Sequence, residues 1–408
     1  MRPSAHSRTE DRSQDRSLTL AARNRTNGHF HGAALAALLL PLAFAAQPAL
    51  KREAGGWTRT YTATLPAAVR IRVNGHGPVS VTGGGHIFSY TLKVKVAART
   101  EAEARRILER VPPRVSAQGD SVLLTAPGGP IMSSLSIQAP RLTAVVIDTS
   151  DGDVTARGID GTLAVDSRAG DLDVDRIGGQ CNLVTGGGDV RVGEVAGALH
   201  CVTGGGRIIV NRARGEATLV TSGGDIVAGE MGAAVRAETG AGGIRIRVAG
   251  GPVTATTGGG EIVVDKADGV VTVRNMAGPV AVGAAPGVHC ESGSGGIRLT
   301  RIAGPLHVST TAGNILADLL AGRAASGTAD SFLATGSGDI TVVIPSNVGV
   351  NIRAENALAD TLRRIVSDYA GVGPQRQGNR IVARGAVNGG GPLLQISDAG
   401  GTIFIKRQ

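Results

Sequence analysis

Apolar and polar residues alternate along most of the chain, and between Gly152 and Gly313 the alternation returns every 18 residues. Each repeat contains a glycine corner, a short alternating run, a second glycine and another alternating run. The spacing is 18 residues throughout except for one repeat of 17 residues. The corner glycines are Gly152, Gly170, Gly188, Gly206, Gly224, Gly242, Gly260, Gly278, Gly295 and Gly313.

Apolar residues occupy positions 3, 5, 12 and 14 of each repeat, counted from the corner glycine, as in Val190, Val192, Leu199 and Cys201. Alternation with a period of two predicts strands that bury one face. One repeat cannot bury its apolar face alone, so stacked repeats must supply both the core and the backbone hydrogen bonds. The pattern therefore predicts an all-β fold, a single-stranded parallel β-solenoid with about 18 residues per coil.

Position 16 carries a column of side chains that is almost entirely hydroxylic. We interpret this column as a stacked ladder in which each hydroxyl satisfies backbone groups of the adjacent turn. A regular threonine array for ice binding is the alternative, but the sequence contains one such column rather than a pair. The column comprises Ser167, Thr185, Thr203, Thr221, Thr239, Thr257, Asn275, Ser292 and Thr310.

The N-terminal 45 residues have the pattern of a signal peptide with a long basic first region. An apolar run covers residues 33–46 and is too short to span a bilayer comfortably. Residues 43–45 (AFA) form a cleavage motif of the A-x-A type. We expect export without a membrane-spanning segment in the mature chain; a short uncleaved anchor is the alternative.

Three further segments complete the predicted organisation. Residues 46–148 are expected to form a strand-rich cap on the solenoid, with a helix over residues 100–111. The solenoid itself is predicted over residues 149–355, with an insertion at 317–331 that interrupts the period. Residues 356–408 are predicted as a C-terminal loop with a short helix and closing strands in a hairpin-like pattern.

Composition restricts the class of protein. Aromatic residues are only 2% of the 408 residues, and none lies between Tyr90 and Phe332, which predicts a thin aliphatic core. The formal net charge is +9, with acidic and basic residues interspersed, so the charges indicate a solvated surface. Without aromatic platforms for bases we expect no nucleic-acid binding. Cys181, Cys201 and Cys290 fall at core positions and predict buried free thiols.

The recurring T-x-x-G-D-V/I units resemble the bacterial adhesin-like, β-strand-repeat family, also called domain of unknown function 4097. The resemblance covers about residues 65–408 and rests on the regular recurrence of short motifs. It implies an exported, non-enzymatic β-solenoid and supplies no ligand or catalytic residue. The motifs are at residues 139–140 (AP), 149–154 (TSDGDV), 187–190 (GGDV), 223–226 (GGDI), 344–345 (IP) and 400–406 (GGTIFIK).

Two kinds of chemistry compete with a purely structural interpretation. A calcium roll would also have 18 residues per coil, but here the aspartates Asp153, Asp171, Asp189 and Asp225 occur at one corner only and lapse in some repeats. A polysaccharide-cleaving β-helix would need clustered acids and sugar-stacking aromatics, and the repeat contains no aromatic residue. We therefore expect no catalytic residues and no cofactor.

One cluster stands apart from the regular pattern. His289 and Glu291 lie two residues apart on an outward strand face, and His307 falls in the same column one coil later. Two imidazoles and a carboxylate can bind zinc or iron. Solvated surface residues are the alternative, and we assign no metal to them from sequence.

The predicted function is adhesin-like binding or scaffolding at the bacterial cell envelope, in the periplasm or on the surface, by a monomer with a protein or glycan partner. A glycan-binding or glycan-cleaving β-helix is one alternative. A metal- or calcium-stabilised structural spacer is the other.

Overall fold

The computed structural model describes residues 49–65, 67–129, 131–320 and 329–408. The predicted signal peptide at residues 1–45 and the middle of the predicted insertion at 317–331 lie outside these ranges.

The N-terminal segment contains eight strands and the one α-helix of the described ranges. Helix α1 begins after Thr100, whose Oγ1 accepts the N–H of Glu103 at 3.3 Å, and it buries Ala104 and Leu108. The predicted short helix is therefore confirmed. The elements are β1 Lys51–Glu53, β2 Gly56–Thr64, β3 Arg70–Gly75, β4 Val79–Gly83, β5 Ser89–Val96, α1 Glu101–Arg110, β6 Arg114–Gln118, β7 Ser121–Thr125 and β8 Ile131–Ala139.

The repeats form strands that alternate between two sheets. Sheet A contains the even-numbered strands from β10 to β30, and sheet B contains the odd-numbered strands from β9 to β31. The strands are β9 Ala144–Thr149, β10 Val154–Ile159, β11 Thr162–Ser167, β12 Leu172–Ile177, β13 Cys181–Thr185, β14 Val190–Val195, β15 Leu199–Thr203, β16 Ile208–Ala213, β17 Ala217–Thr221, β18 Ile226–Met231, β19 Val235–Thr239, β20 Ile244–Ala249, β21 Val253–Thr257, β22 Ile262–Ala267, β23 Val271–Ala277, β24 Val280–Val282, β25 Val288–Ser294, β26 Ile297–Ile302, β27 Leu306–Ala312, β28 Ile315–Leu319, β29 Ser331–Thr335, β30 Ile340–Ile344 and β31 Val350–Asn356.

The C-terminal segment is more regular than the sequence predicted. The expected helix near residues 361–366 is a single 3-10 turn, Leu362–Arg364, and the chain then enters a strand. The strands are β32 Ile365–Ser367, β33 Pro374–Gln377, β34 Arg380–Val387, β35 Leu393–Asp398 and β36 Ile403–Arg407.

Each coil contributes one strand to each sheet and pairs in parallel with the coil before and the coil after. Val190 of β14 lies opposite Ile208 of β16, and Leu199 of β15 lies opposite Ala217 of β17, in each case 18 residues further along the chain. The fold predicted from the 18-residue period, a single-stranded parallel β-solenoid with an N-terminal β cap, is confirmed.

The core lies between the two sheets and contains the predicted columns at positions 3, 5, 12 and 14. A further buried column, at position 8, was not predicted. Positions 5 and 8 both face inward, so the strict alternation is broken between them in every repeat from Gly152 to Gly313. In three coils the break includes a positive φ at position 7, at Gly158 (69°), Arg176 (56°) and Arg301 (52°). The additional column comprises Ile159, Ile177, Val195, Ala213, Met231, Ala249, Ala267, Ala285 and Ile302.

Both ends of the stack are interleaved rather than sequential. The β3–β4 coil lies between the β7–β8 coil and the β9–β10 coil. The β35–β36 coil likewise lies between the β29–β30 coil and the β31–β32 coil. Antiparallel strands then flank the outermost coils: β5, β2 and β1 follow β8, β6 follows β7, and β34 and β33 follow β31.

The expected closing hairpin of the last two strands is wrong. β35 belongs to sheet B and β36 to sheet A, and each pairs in parallel on both of its edges. Insertion between two coils satisfies the backbone groups on both sides of each strand, which a terminal hairpin would leave open on its outer edge.

Candidate functional site

The hydroxyl column at position 16 is an internal ladder, as predicted. Thr203 donates its hydroxyl to the carbonyl oxygen of Gly188 at 2.8 Å, and Thr257 does the same to Gly242 at 2.8 Å. Every member is buried, so the column cannot present an ice-binding face. The structure extends the ladder at both ends, to Thr149 and to Thr335, Asp398 and Asn356.

The aspartate column at position 2 holds the backbone of the next coil, a role that was not predicted from the sequence. Oδ1 of Asp171 accepts the N–H of Asp189 at 2.9 Å, and Oδ1 of Asp189 accepts the N–H of Arg207 at 2.9 Å. Asn314 makes the same contact with Asp339 at 2.8 Å. The recurrence of aspartate or asparagine directly after the corner glycine in several coils was the available signal.

Guanidinium groups complete this aspartate column. Arg191 contacts the carboxylates of both Asp171 (3.3 Å) and Asp189 (3.0 Å). The backbone N–H of Arg207, assisted by the guanidinium groups of Arg207 and Arg191, lowers the pKa of Asp189. Since one oxygen of each of these carboxylates already accepts an N–H, the column has the contacts of a backbone brace rather than of a calcium roll.

The structure brings His289, Glu291 and His307 together as predicted, and adds Arg274. The two imidazole rings have a centroid separation of 6.2 Å and are tilted by 42°. Glu291 contacts Nε2 of His289 through Oε1 (3.2 Å) and Nε of Arg274 through Oε2 (3.5 Å). Both carboxylate oxygens therefore have partners. Across the described ranges, no group of three His, Cys, Asp or Glu side chains is arranged to hold a metal ion.

The three cysteines are free and buried, as predicted from their core positions. Cys181 lies opposite Leu199, and Cys201 lies opposite Leu183, so the two thiols are offset by two residues in neighbouring strands. Burial raises the pKa of Cys181 and of Cys290 to about 12 and raises that of Cys201 well above its ordinary value. Thiols that stay protonated are poor nucleophiles, so these cysteines act as small apolar core residues.

The outer face of the repeats carries charges that are largely paired between coils. Arg157 contacts Asp173 at 2.8 Å, and Glu230 contacts both Arg212 (2.5 Å) and Arg247 (2.7 Å). The hydrogen bonds from Arg212 and Arg247 lower the pKa of Glu230. These exposed pairs contribute little to stability individually, and they leave no isolated acid or base in this part of the face.

A groove of about 280 Å³ lies on the outer face of sheet A near the N-terminal end of the stack. Hydroxyl side chains line its floor, and Lys93 and Asp153 contribute a charge of each sign. The groove is not evident from the sequence, because its strands β10, β4, β8 and β5 become neighbours only through the interleaved order of the coils. Its hydroxyl residues are Ser80, Thr91, Ser134, Ser136 and Thr155.

Within the described ranges, no helix has the length and apolar character needed to cross a membrane.

Comparison with known proteins identifies solved structures with partial likeness. One is a candidate adhesin of Bacteroides fragilis, with 19% identity and a TM-score of 0.31 over 54% of this chain and 97% of that one. Another is a candidate cell adhesion protein of Clostridium sporogenes, with 9% identity and a TM-score of 0.19 over 86% and 100%. A third is a candidate adhesin of Parabacteroides merdae, with 10% identity and a TM-score of 0.25 over 70% and 92%.

No protein-family model and no curated protein matches the sequence. The resemblance to the domain of unknown function 4097 therefore stays a prediction. Because every TM-score above is below 0.5, these likenesses assign no function to the chain.

Proposed function

We propose that this protein is an exported, non-catalytic β-solenoid that binds or scaffolds at the bacterial cell envelope. Residues 33–46, with their cleavage motif, are the basis for export to the periplasm or cell surface. The partner is a protein or glycan of the envelope, and the chain acts as a monomer.

One observation carries the proposal: the repetitive chemistry of the coils is engaged in building the stack. The hydroxyl ladder and the aspartate column hold neighbouring coils together, while the cysteines fill the core. The outer face, by contrast, carries mainly charged and hydroxyl side chains, with single exposed apolar residues such as Val227 and Met276. Binding sites are commonly carried in this way by repeat proteins, whose stacked coils give long contact surfaces.

Two experiments test this proposal. Fractionation of bacteria that produce the full chain with a C-terminal tag should place the tag in the periplasm or on the surface; retention in the cytoplasm would contradict export. Fluorescently labelled residues 46–408 should bind isolated cell envelopes of the producing bacterium with saturation, and excess unlabelled protein should displace them. Binding that rises linearly without displacement would contradict a specific adhesin-like role.

A further inference from the structure

An uninterrupted row of hydroxyl side chains crosses five neighbouring strands on the outer face of sheet A. Thr155 of β10 lies opposite Ser80 of β4, which lies opposite Ser136 of β8. Ser136 lies opposite Thr91 of β5, which lies opposite Thr62 of β2. With strands about 4.8 Å apart, the row is about 19 Å long. Four of its five members line the 280 Å³ groove.

These hydroxyls are free to bind. The four that line the groove (Ser80, Thr91, Ser136 and Thr155) make no side-chain hydrogen bond to any part of the chain that the structure describes, unlike Thr203, which is bonded within the ladder. Each hydroxyl can donate one hydrogen bond and accept two. The groove therefore holds four adjacent hydroxyls whose donors and acceptors are unused by the described residues.

The charges that border the groove are also only partly used. Lys93 forms no ion pair with a described residue, whereas arginines further along the same face contact carboxylates. Asp153 uses Oδ1 to accept the N–H of Asp171 at 2.9 Å, and Oδ2 has no hydrogen-bond partner among the described residues. An ammonium donor and a carboxylate acceptor thus accompany the hydroxyl row.

The kind of ligand follows from this chemistry. The groove lies on a sheet face between paired strands, so a peptide cannot add to it as an extra strand. Seven of the ten lining residues have polar side chains, Pro78, Val79 and Leu135 add apolar surface, and none of the ten is aromatic. A ligand must therefore be recognised by many hydrogen bonds to groups that both donate and accept. Sugars have this property on every ring.

We infer that the groove is a carbohydrate-binding site, in which a glycan chain lies across the strands along the row from Thr155 to Thr91. Sugar hydroxyls exchange hydrogen bonds with Ser80, Ser136 and the two threonines, and Lys93 and Asp153 bind the flanking polar groups. This inference rests on the proposed envelope-binding function and specifies glycan as the partner class. The absence of stacking aromatics from the groove makes a single sugar a weak ligand and favours a chain that spans the row.

The test compares two matched double variants of residues 46–408. Thr91→Val with Thr155→Val removes two groove hydroxyls with little change of shape, and valine suits strand positions. Thr254→Val with Thr272→Val is the control: these residues lie opposite each other on the outer face of sheet B, outside the groove. Ser136→Asn is a third variant that fills the groove floor. Circular dichroism melting confirms that each variant is folded.

The probes are polysaccharide purified from envelopes of the producing bacterium and a panel of neutral and uronic-acid oligosaccharides, titrated by calorimetry. We expect the wild type and the sheet B control to bind with equal affinity. We expect the groove double variant and Ser136→Asn to bind at least tenfold more weakly. Equal binding by all four proteins, or no binding of any carbohydrate by the wild type, would overturn the groove assignment.

This result separates the groove from the wider proposal. Saturable envelope binding that soluble carbohydrate does not compete, and that the groove variants retain, would overturn the glycan site while leaving the binding function intact. Lack of saturable envelope binding would instead contradict the proposed function itself.

Discussion

Thr221 and Gly206 lie in neighbouring coils, and the Thr221 hydroxyl donates to the Gly206 carbonyl oxygen at 2.9 Å. The same hydroxyl accepts the N–H of Gly224 at 3.2 Å. One buried oxygen thus satisfies a corner of its own coil and a corner of the preceding coil. This relationship recurs along the stack and explains why a hydroxyl or amide precedes each glycine corner.

Replacing Thr221 by valine should destabilise the stack by about 1–3 kcal/mol, because the carbonyl of Gly206 and the N–H of Gly224, both in half-buried corners, lose their partner while the side-chain shape is kept. Thr218→Val, on the outer face of the same strand, should change stability by less than about 0.5 kcal/mol. Urea denaturation midpoints of the two variants measure the difference. Equal midpoints would show that the ladder does not hold the coils together.

The corner glycines should tolerate no side chain, whereas their neighbours should. A Cβ on Gly206 would lie 2.1 Å from the Gly188 carbonyl oxygen, while a Cβ on the adjacent Gly205 would meet no atom within 4 Å. Gly206→Ala should therefore cost about 3 kcal/mol or more, since the obstacle is backbone that cannot rotate away. Gly205→Ala should be neutral in the same thermal melts. A Gly206→Ala variant as stable as the wild type would contradict the close stacking of the corners.

The aspartate column should work through its acceptor oxygen and not through a bound metal. Oδ1 of Asp225 accepts the N–H of Gly243 at 2.8 Å. Asp225→Asn keeps this acceptor and should melt close to the wild type, as Asn314 does in its own coil. Asp225→Ala should lose about 1 kcal/mol.

Removal of calcium should leave the melting temperature unchanged, because the column is held by N–H groups and arginines. The measurement is thermal melting in about 1 mM EDTA and, separately, in about 1 mM calcium chloride. A melting temperature that rises with calcium would favour the calcium-stabilised alternative.

The three thiols should be unreactive in the folded protein and all reactive after unfolding. Burial keeps them protonated, with a pKa of about 12 for Cys181 and Cys290, so thiolate is scarce at neutral pH. In the unfolded chain the thiol pKa returns to about 8.5. The stability gained by burying protonated thiols is therefore present below about pH 8.5 and is lost as the pH rises towards about 12. Ellman titration in buffer and in guanidinium gives the count. Rapid reaction without denaturant, or fewer than three thiols with it, would contradict the buried free state.

The coil architecture could be predicted from sequence because the pattern of apolar residues and corner glycines that determines it lies within one short repeat and recurs in every coil. Columns such as Val190 and Val192 must face inward for any coil to bury its apolar residues, and the glycine period fixes the stacking register. Position 8 escaped prediction because strict alternation breaks within the strand: Val192 and Val195, at positions 5 and 8, both face inward although they are three residues apart.

The interleaved ends and the groove could not be predicted for a different reason. β4 pairs with β8 and β10, and the sequence separations between these strands do not follow the 18-residue repeat. The repeat therefore does not predict that Ser80 lies beside Ser136 and Thr155. Each of these residues is an ordinary outward strand position by itself. The His289, Glu291 and His307 cluster could be predicted because its members lie one coil apart, but the contact between Arg274 and Glu291 became evident only in the structure.

The central claim is that this solenoid binds an envelope ligand without converting it. The most direct measurement is the chain-length distribution of envelope polysaccharide recovered from its complex with residues 46–408 after prolonged incubation. We predict saturable retention of polysaccharide whose length distribution and reducing-end content equal those of the untreated sample. Shortened chains or a rising content of reducing ends would contradict the account and establish a glycan-cleaving enzyme instead.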